Sequence, residues 1–136
     1  MSEVVIYTDG GARGNPGPAA AGIVIVENGR TIAQFGKYLG DALTNNVAEY
    51  EALILAITDA KRLELIDRHI EFRMDSELIV KQMQGLYKVK DKKMKEQHAK
   101  VRELLLEFQH VHFKHIPREE NSEADALVND ALNAHN

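Results

Sequence analysis

Apolar residues recur along this chain in two distinct periods. Val4-Val5-Ile6-Tyr7 is a short unbroken run ending in Thr8-Asp9, which predicts a buried strand. A glycine-rich stretch over 10–18 reads as a loop, and residues 21–26 read as a second strand. Asn28-Gly29 then signals a tight hairpin, because both turn positions favour positive φ, and residues 31–39 return as a third strand. From Asn46 the period lengthens. Val47, Tyr50, Leu53, Ile54 and Ile57 follow helical spacing and predict an amphipathic helix over 45–63. Residues 69–74 form a fourth strand, again closed by an aspartate, Asp75. A short helix through Leu78, Ile79 and Met83, a loop over 85–90, and a helix carrying Val101, Leu104, Leu105 and Phe108 come next. Residues 111–114 are a fifth strand, and Ala124, Leu127, Val128 and Ala131 mark a last helix after Pro117.

Three strands in hairpin succession followed by alternating helices and strands predict an α/β fold with a mixed five-stranded sheet and helices on its faces. Right-handed crossover makes the first and fourth strands parallel neighbours at its centre. The chain of 136 residues suits one domain, and no repeat, linker or low-complexity segment divides it.

Composition narrows the chemistry. No cysteine is present, which removes disulfides, a thiol nucleophile and zinc–thiolate sites. No basic leader opens the chain and no run approaches the roughly 20 apolar residues of a membrane span, so a cytoplasmic protein is expected. The net charge of −4 is unevenly spread. Residues 81–102 hold eight basic side chains, among them Lys88, Lys90, Lys92 and Lys93, against two acidic ones. Such a patch can meet phosphates even on an acidic protein, although a solvated helix face explains it equally well.

The acids are placed with more pattern. Asp9 and Asp75 each follow a strand whose carboxyl end faces the usual crevice of an open α/β sheet. Glu49 lies about 40° round its helix from Leu53, at the edge of the apolar stripe. Asp125 stands in the same relation to Val128 and Leu132. Two unit charges about 4 Å apart repel by roughly 4 kcal/mol at an effective dielectric near 20. A cluster of four would therefore take up protons or bind hard cations, and all-oxygen ligands favour Mg²⁺ or Mn²⁺ over zinc. Each acid singly is explained as well by a surface charge or a cap. A dinucleotide site is excluded, since the glycine loop lacks the G-x-G-x-x-G spacing and a hairpin follows it.

Tyr7-Thr8-Asp9-Gly10-Gly11 with Gly14-Asn15-Pro16-Gly17-Pro18, Thr44-Asn45-Asn46-Val47-Ala48-Glu49, Asp75-Ser76, and the His115, Asn121, Asp125 spacing resemble, in order, the motifs of type 1 ribonucleases H. The resemblance covers nearly the whole chain. It implies the ribonuclease H-like fold, with strand order 3-2-1-4-5, and hydrolysis of the RNA strand of RNA–DNA hybrids to 5′-phosphate and 3′-hydroxyl ends. It also implies two Mg²⁺ ions, with Mn²⁺ as a substitute, held by Asp9, Glu49, Asp75 and Asp125. One ion would activate the attacking water and the other would stabilise the leaving oxygen. The enzyme would be a monomer with a nucleic-acid partner and no protein partner. Double-stranded RNA or RNA–DNA junctions as substrates, and a non-catalytic nucleic-acid-binding module, are the alternative readings.

The resemblance further implies that Asn15, Thr44, Asn45 and Asn46 contact substrate, through the RNA 2′-hydroxyl or a phosphate. Helix capping explains Thr44 and Asn45 independently. Lys88 and Lys90 would add phosphate contacts. His115 and Arg118 compete for one assisting role: a histidine can move a proton near neutral pH, whereas arginine holds a phosphate or orients water. The loop from His115 to Asn121 departs from the glycine-rich loop of the best-known bacterial members. Glu77 stands where many members have glutamine, and the 85–100 segment is shorter than their basic protrusion.

Overall fold

The computed structural model describes residues 3–135. Its elements run β1 (Glu3–Ala12), β2 (Gly17–Glu27), β3 (Arg30–Leu43), α1 (Asn45–Arg62), β4 (His69–Met74), α2 (Glu77–Met83), α3 (Lys92–Leu105), β5 (His110–His115), a 3₁₀ turn (Arg118–Asn121) and α4 (Ser122–His135). The sheet order is β3-β2-β1-β4-β5. β1–β2 and β2–β3 pair antiparallel, while β1–β4 and β4–β5 pair parallel. The expected mixed sheet, strand order and central parallel pair are all present. The hairpin falls at Asn28 and Gly29, with φ of 50° and 82°.

The first three strands are longer than the apolar runs predict. β1 continues past Asp9 through Gly10, Gly11 and Ala12, which pair with Ala21, Ala20 and Ala19. The glycines there answer a packing demand. A Cβ on Gly10 would stand 2.2 Å from the Ala48 carbonyl oxygen, so only glycine lets α1 lie this close to β1.

Val4, Ile6, Ile23, Ile25, Ile70 and Phe72 alternate onto one face of the sheet and pack under α1, joined by Leu53 and Ile57 from that helix. The opposite face is covered differently. Val128 and Leu132 of α4 pack on Ala20, and Gly22 admits the helix backbone, since a Cβ there would meet the Ala124 carbonyl oxygen at 2.1 Å. α4 packs on β2, β3 and β1. Helices thus lie on both faces of the sheet, as expected.

Candidate active site

Three carboxylates meet where β1 and β4 part. Parallel pairing ends at Tyr7 and Arg73; Asp9 lies two residues further along β1, and Asp75 directly follows β4. Glu49 reaches the same point from the first turns of α1. One oxygen from each of Asp9, Glu49 and Asp75 lies within 4.8 Å of the others. Asp9 and Glu49 are buried and Asp75 is half-buried. The close seat of α1 on Gly10 aims Glu49 here: the Gly10 N–H donates to Glu49 Oε1 at 2.8 Å.

Asp125, in the first turn of α4, lines the same cleft and adds its charge to the repulsion at the Asp9 carboxyl, but lies outside the tight group of three. One helical turn on, Asn129 Nδ2 donates to the Asp125 carbonyl at 3.2 Å. Asn121 ties the turn before α4 to the sheet, its buried Nδ2 donating to the Thr8 carbonyl at 2.9 Å. That bond holds the backbone next to Asp9 and the approach to Asp125 in one frame. The cleft has a volume of about 540 Å³, and Arg13, Asn45, Ser76, Arg118 and Asn129 also line it.

The electrostatics follow from crowding. Burial, reinforced by repulsion from Asp75 and Asp125, pushes the Asp9 carboxyl up to about 8, while the Arg118 guanidinium acts in the opposite direction. Burial, then Asp9 and Asp75, holds the Glu49 carboxyl well above its ordinary range, against the Gly10 N–H that favours its ionised form. Buried oxygens that resist ionisation beside one another are the donor set of a hard divalent cation, whose charge would remove the repulsion. The residues present fit such an ion.

The remaining sequence candidates separate. Thr44 is the N-cap of α1, its Oγ accepting from the Val47 N–H at 3.2 Å. Asn45 lines the cleft, and its Oδ1 accepts from the Ala12 N–H at 2.9 Å. Asn15 Oδ1 accepts from the Asn45 N–H at 2.9 Å. Both amide oxygens are therefore occupied within the chain, which leaves the two NH₂ groups as donors. Asn46 is half-buried in the first helical turn. Arg118 lines the cleft, whereas His115 ends β5 exposed and outside the lining. Lys88 and Lys90 lie on the loop between α2 and α3, away from the carboxylates. Sequence reasoning gave no role to Arg13, Ser76 or Asn129. Asn129 carried a usable signal, standing one helical turn from Asp125, and Arg13 carried none.

Comparison with known proteins places the chain. The family described as reverse transcriptase-like matches residues 7–131. A ribonuclease HI of Halobacterium salinarum is 45% identical over 127 residues, covering 93% of this chain and 62% of that protein. A bifunctional protein of Mycobacterium tuberculosis is 40% identical over 97% of this chain and 36% of its own length. The chain thus spans less than two thirds of these relatives. Among solved structures, LC11-RNase H1, isolated from compost, superposes with a TM-score of 0.93 at 51% identity, covering 99% of both chains. The same protein has been solved with an RNA/DNA hybrid, at a TM-score of 0.92 and covering 97% of this chain and 98% of that one. The RNase H1 of Halobacterium salinarum gives 0.92 at 42% identity, with 97% and 98% covered.

Proposed function

The chain belongs to the type 1 ribonuclease H family, and from that premise we propose that it is an endoribonuclease hydrolysing the RNA strand of RNA–DNA hybrids, leaving 5′-phosphate and 3′-hydroxyl ends. The observation that carries the reading is the convergence of Asp9, Glu49 and Asp75 in an open cleft that Asp125 and Arg118 also line. Its support is a relative of 51% identity solved with an RNA/DNA hybrid.

Asp9, Glu49, Asp75 and Asp125 are the side chains that would hold divalent cations, Mg²⁺ in the first place and Mn²⁺ as a substitute. Bound there, the cations would supply Lewis-acid stabilisation of the charge that develops on the attacking and leaving oxygens. The chain's own residues do the rest. Asn15 and Asn45 present amide donors whose orientation the bonds to the Asn45 N–H and Ala12 N–H fix, suited to the 2′-hydroxyl that distinguishes RNA from DNA. Thr44 holds the first turn of α1 and so the depth to which Glu49 reaches. Arg118 supplies a permanent positive charge beside Asp9, suited to a phosphate. Lys88 and Lys90 extend the contact surface along the backbone. Among the described residues no helix is long and apolar enough to cross a membrane, and we assign the activity to the cytoplasm.

The test is cleavage of end-labelled RNA–DNA hybrid, double-stranded RNA and duplex DNA, each with Mg²⁺, Mn²⁺ or chelator. Metal-dependent cutting of the RNA strand of the hybrid is expected. Cutting of double-stranded RNA at a comparable rate would replace the substrate assignment. Tight hybrid binding without cleavage would make the chain a binding module.

A further inference from the structure

Arg13 is a cation in an acidic cleft that pairs with none of the acids. It lines the cleft together with Asp9, Glu49, Asp75 and Asp125. Among the described residues its guanidinium makes no ion pair. Its Nη2 donates instead to Asn133 Oδ1 at 2.8 Å. That bond takes up one of five N–H donors and leaves the charge unneutralised. Arg118 is placed differently, since its charge bears on the Asp9 carboxyl, whereas that of Arg13 bears on neither Asp9 nor Glu49. Arg13 therefore stands at the end of the cleft away from the carboxylates.

Both partners of the Arg13–Asn133 bond are held in place. The Arg13 N–H donates to the Pro18 carbonyl at 2.8 Å, and Asn45 Oδ1 fixes the neighbouring Ala12 N–H. Asn133 lies in the last turn of α4, which His135 joins to β3 by stacking on Tyr38, with centroids 3.5 Å apart and planes 8° from parallel. Asp125, Asn129 and Asn133 recur every four residues, so they form one polar stripe along α4 that leads from the carboxylates to Arg13. Eight residues of helix span about 12 Å, the length of about three to four base-pair steps.

On the reading of the chain as a hybrid-cleaving nuclease, we propose that Arg13, oriented by Asn133, clasps a backbone phosphate of the bound hybrid about three to four nucleotides from the one being cut. A guanidinium suits that place. Its planar fork meets a phosphate through two donors at once, and it stays charged at any working pH. The role is register rather than chemistry. A second anchor at a fixed distance decides which linkage lies over the carboxylates, as phosphate contacts generally position a nucleic acid without reading its bases.

The test measures hybrid binding by fluorescence anisotropy in chelator and steady-state cleavage in Mg²⁺, each over a range of salt, for the full chain and its variants. Arg13→Ala should weaken binding about fivefold to tenfold, raise KM more than it lowers kcat, and flatten the logarithmic salt slope by about 0.9. Arg13→Lys should restore the slope but only part of the affinity, and Asn133→Ala should weaken binding by about twofold to threefold. Arg30→Ala, which removes the same charge at the hairpin beyond the other end of β1, should change neither. Hybrids carrying one uncharged methylphosphonate linkage at a time then locate the contact. Neutralising one linkage, about three to four steps from the cut, should weaken the parent and leave Arg13→Ala unaffected. A parent that binds hybrid while Arg13→Ala binds it equally, with the same salt slope, overturns the proposal alone. So does an equal effect of Arg30→Ala, or a scan in which every neutral linkage weakens parent and variant alike. A parent that neither binds nor cuts hybrid overturns the underlying reading as well.

Discussion

Replacing Asp9 with asparagine should stabilise the metal-free protein, and the gain should grow with pH. The Asp9 carboxyl is raised from 3.8 to about 8 by burial and by Asp75 and Asp125. A group whose folded pKa lies above its unfolded value keeps its proton in the folded state while the unfolded chain has released it. Stability is therefore lost as pH rises from about 4 to about 8 and is level beyond. Every tenfold weakening of the acid on folding is worth about 1.36 kcal/mol, which sets a ceiling of about 6 kcal/mol above pH 8 and about 1.6 kcal/mol at about pH 5. Water entering an open cleft and the retained charge of Asp75 reduce that ceiling, so a gain of about 1–3 kcal/mol near pH 9 is the working figure.

For a domain of this size that is a rise in Tm of roughly 4–12 °C. Thermal unfolding in chelator, at about pH 5 and about pH 9, measures it for parent and variant. The parent should gain more than the variant from added Mg²⁺, because the cation relieves a repulsion that the variant no longer has, and its binding should release protons near neutral pH. A variant that melts below the parent at the higher pH, or that gains equally at both, would refute the argument and make Asp9 a structural hydrogen-bonding residue.

Further expectations are narrower. Asp75→Asn should reduce Mg²⁺-dependent hybrid cleavage to background with the circular-dichroism spectrum unchanged; near-normal turnover removes it from the metal-holding set. Alanine at Lys88, Lys90, Lys92 and Lys93 together should raise KM, spare kcat, and flatten the logarithmic salt dependence by up to about 0.9 for each phosphate no longer neutralised. An unchanged slope makes the segment a solvated surface. Gly10→Ala should cost about 2–4 kcal/mol, since its Cβ would stand 2.2 Å from the Ala48 carbonyl oxygen and 2.5 Å from the Glu49 nitrogen. A neutral result in urea unfolding would show that α1 can shift freely. Arg118→Ala, which removes the positive charge lining the cleft, should raise KM for hybrid by about tenfold, and His115→Ala should alter kcat by less than that. Steady-state kinetics at several pH values separate the two, and a collapse of kcat in His115→Ala reverses the assignment.

Much of the fold was legible because two periods dominate the chain. β4 falls at residues 69–74 and α1 starts at Asn45, both as the apolar pattern predicts. The errors cluster where the reason for a residue is tertiary. Gly10 and Gly11 look like a loop when only local chain geometry is considered, yet they continue β1, because the demand for glycine comes from α1 lying across the strand. No local signal contains that helix. Asp9 is thus not at the end of β1. It stands where the strand leaves β4 while still paired to β2, and that divergence opens the cleft. The 3₁₀ turn at Arg118–Asn121 escaped for a related reason: Asn121 is fixed by the distant Thr8 carbonyl, a bond across 113 residues.

The same distinction separates the candidate site into what the sequence could and could not carry. Acids placed at strand ends and stripe edges were visible as a pattern, and three of the four came together. Their protonation was not visible, because it depends on burial that only the packed fold creates. The two asparagines show how far the pattern can mislead about roles while naming the right residues. Capping and substrate contact looked like alternatives for the stretch from Thr44 to Asn46. The hydrogen bonds divide the roles by atom instead: the oxygens of Asn15 and Asn45 hold the loop to β1 and α1, and their NH₂ groups remain as donors. A side chain that is half structural in this way should lose both functions when cut to alanine. Replacement by aspartate would keep the accepting oxygen and remove the donor, so it isolates the contact with substrate from the maintenance of the loop.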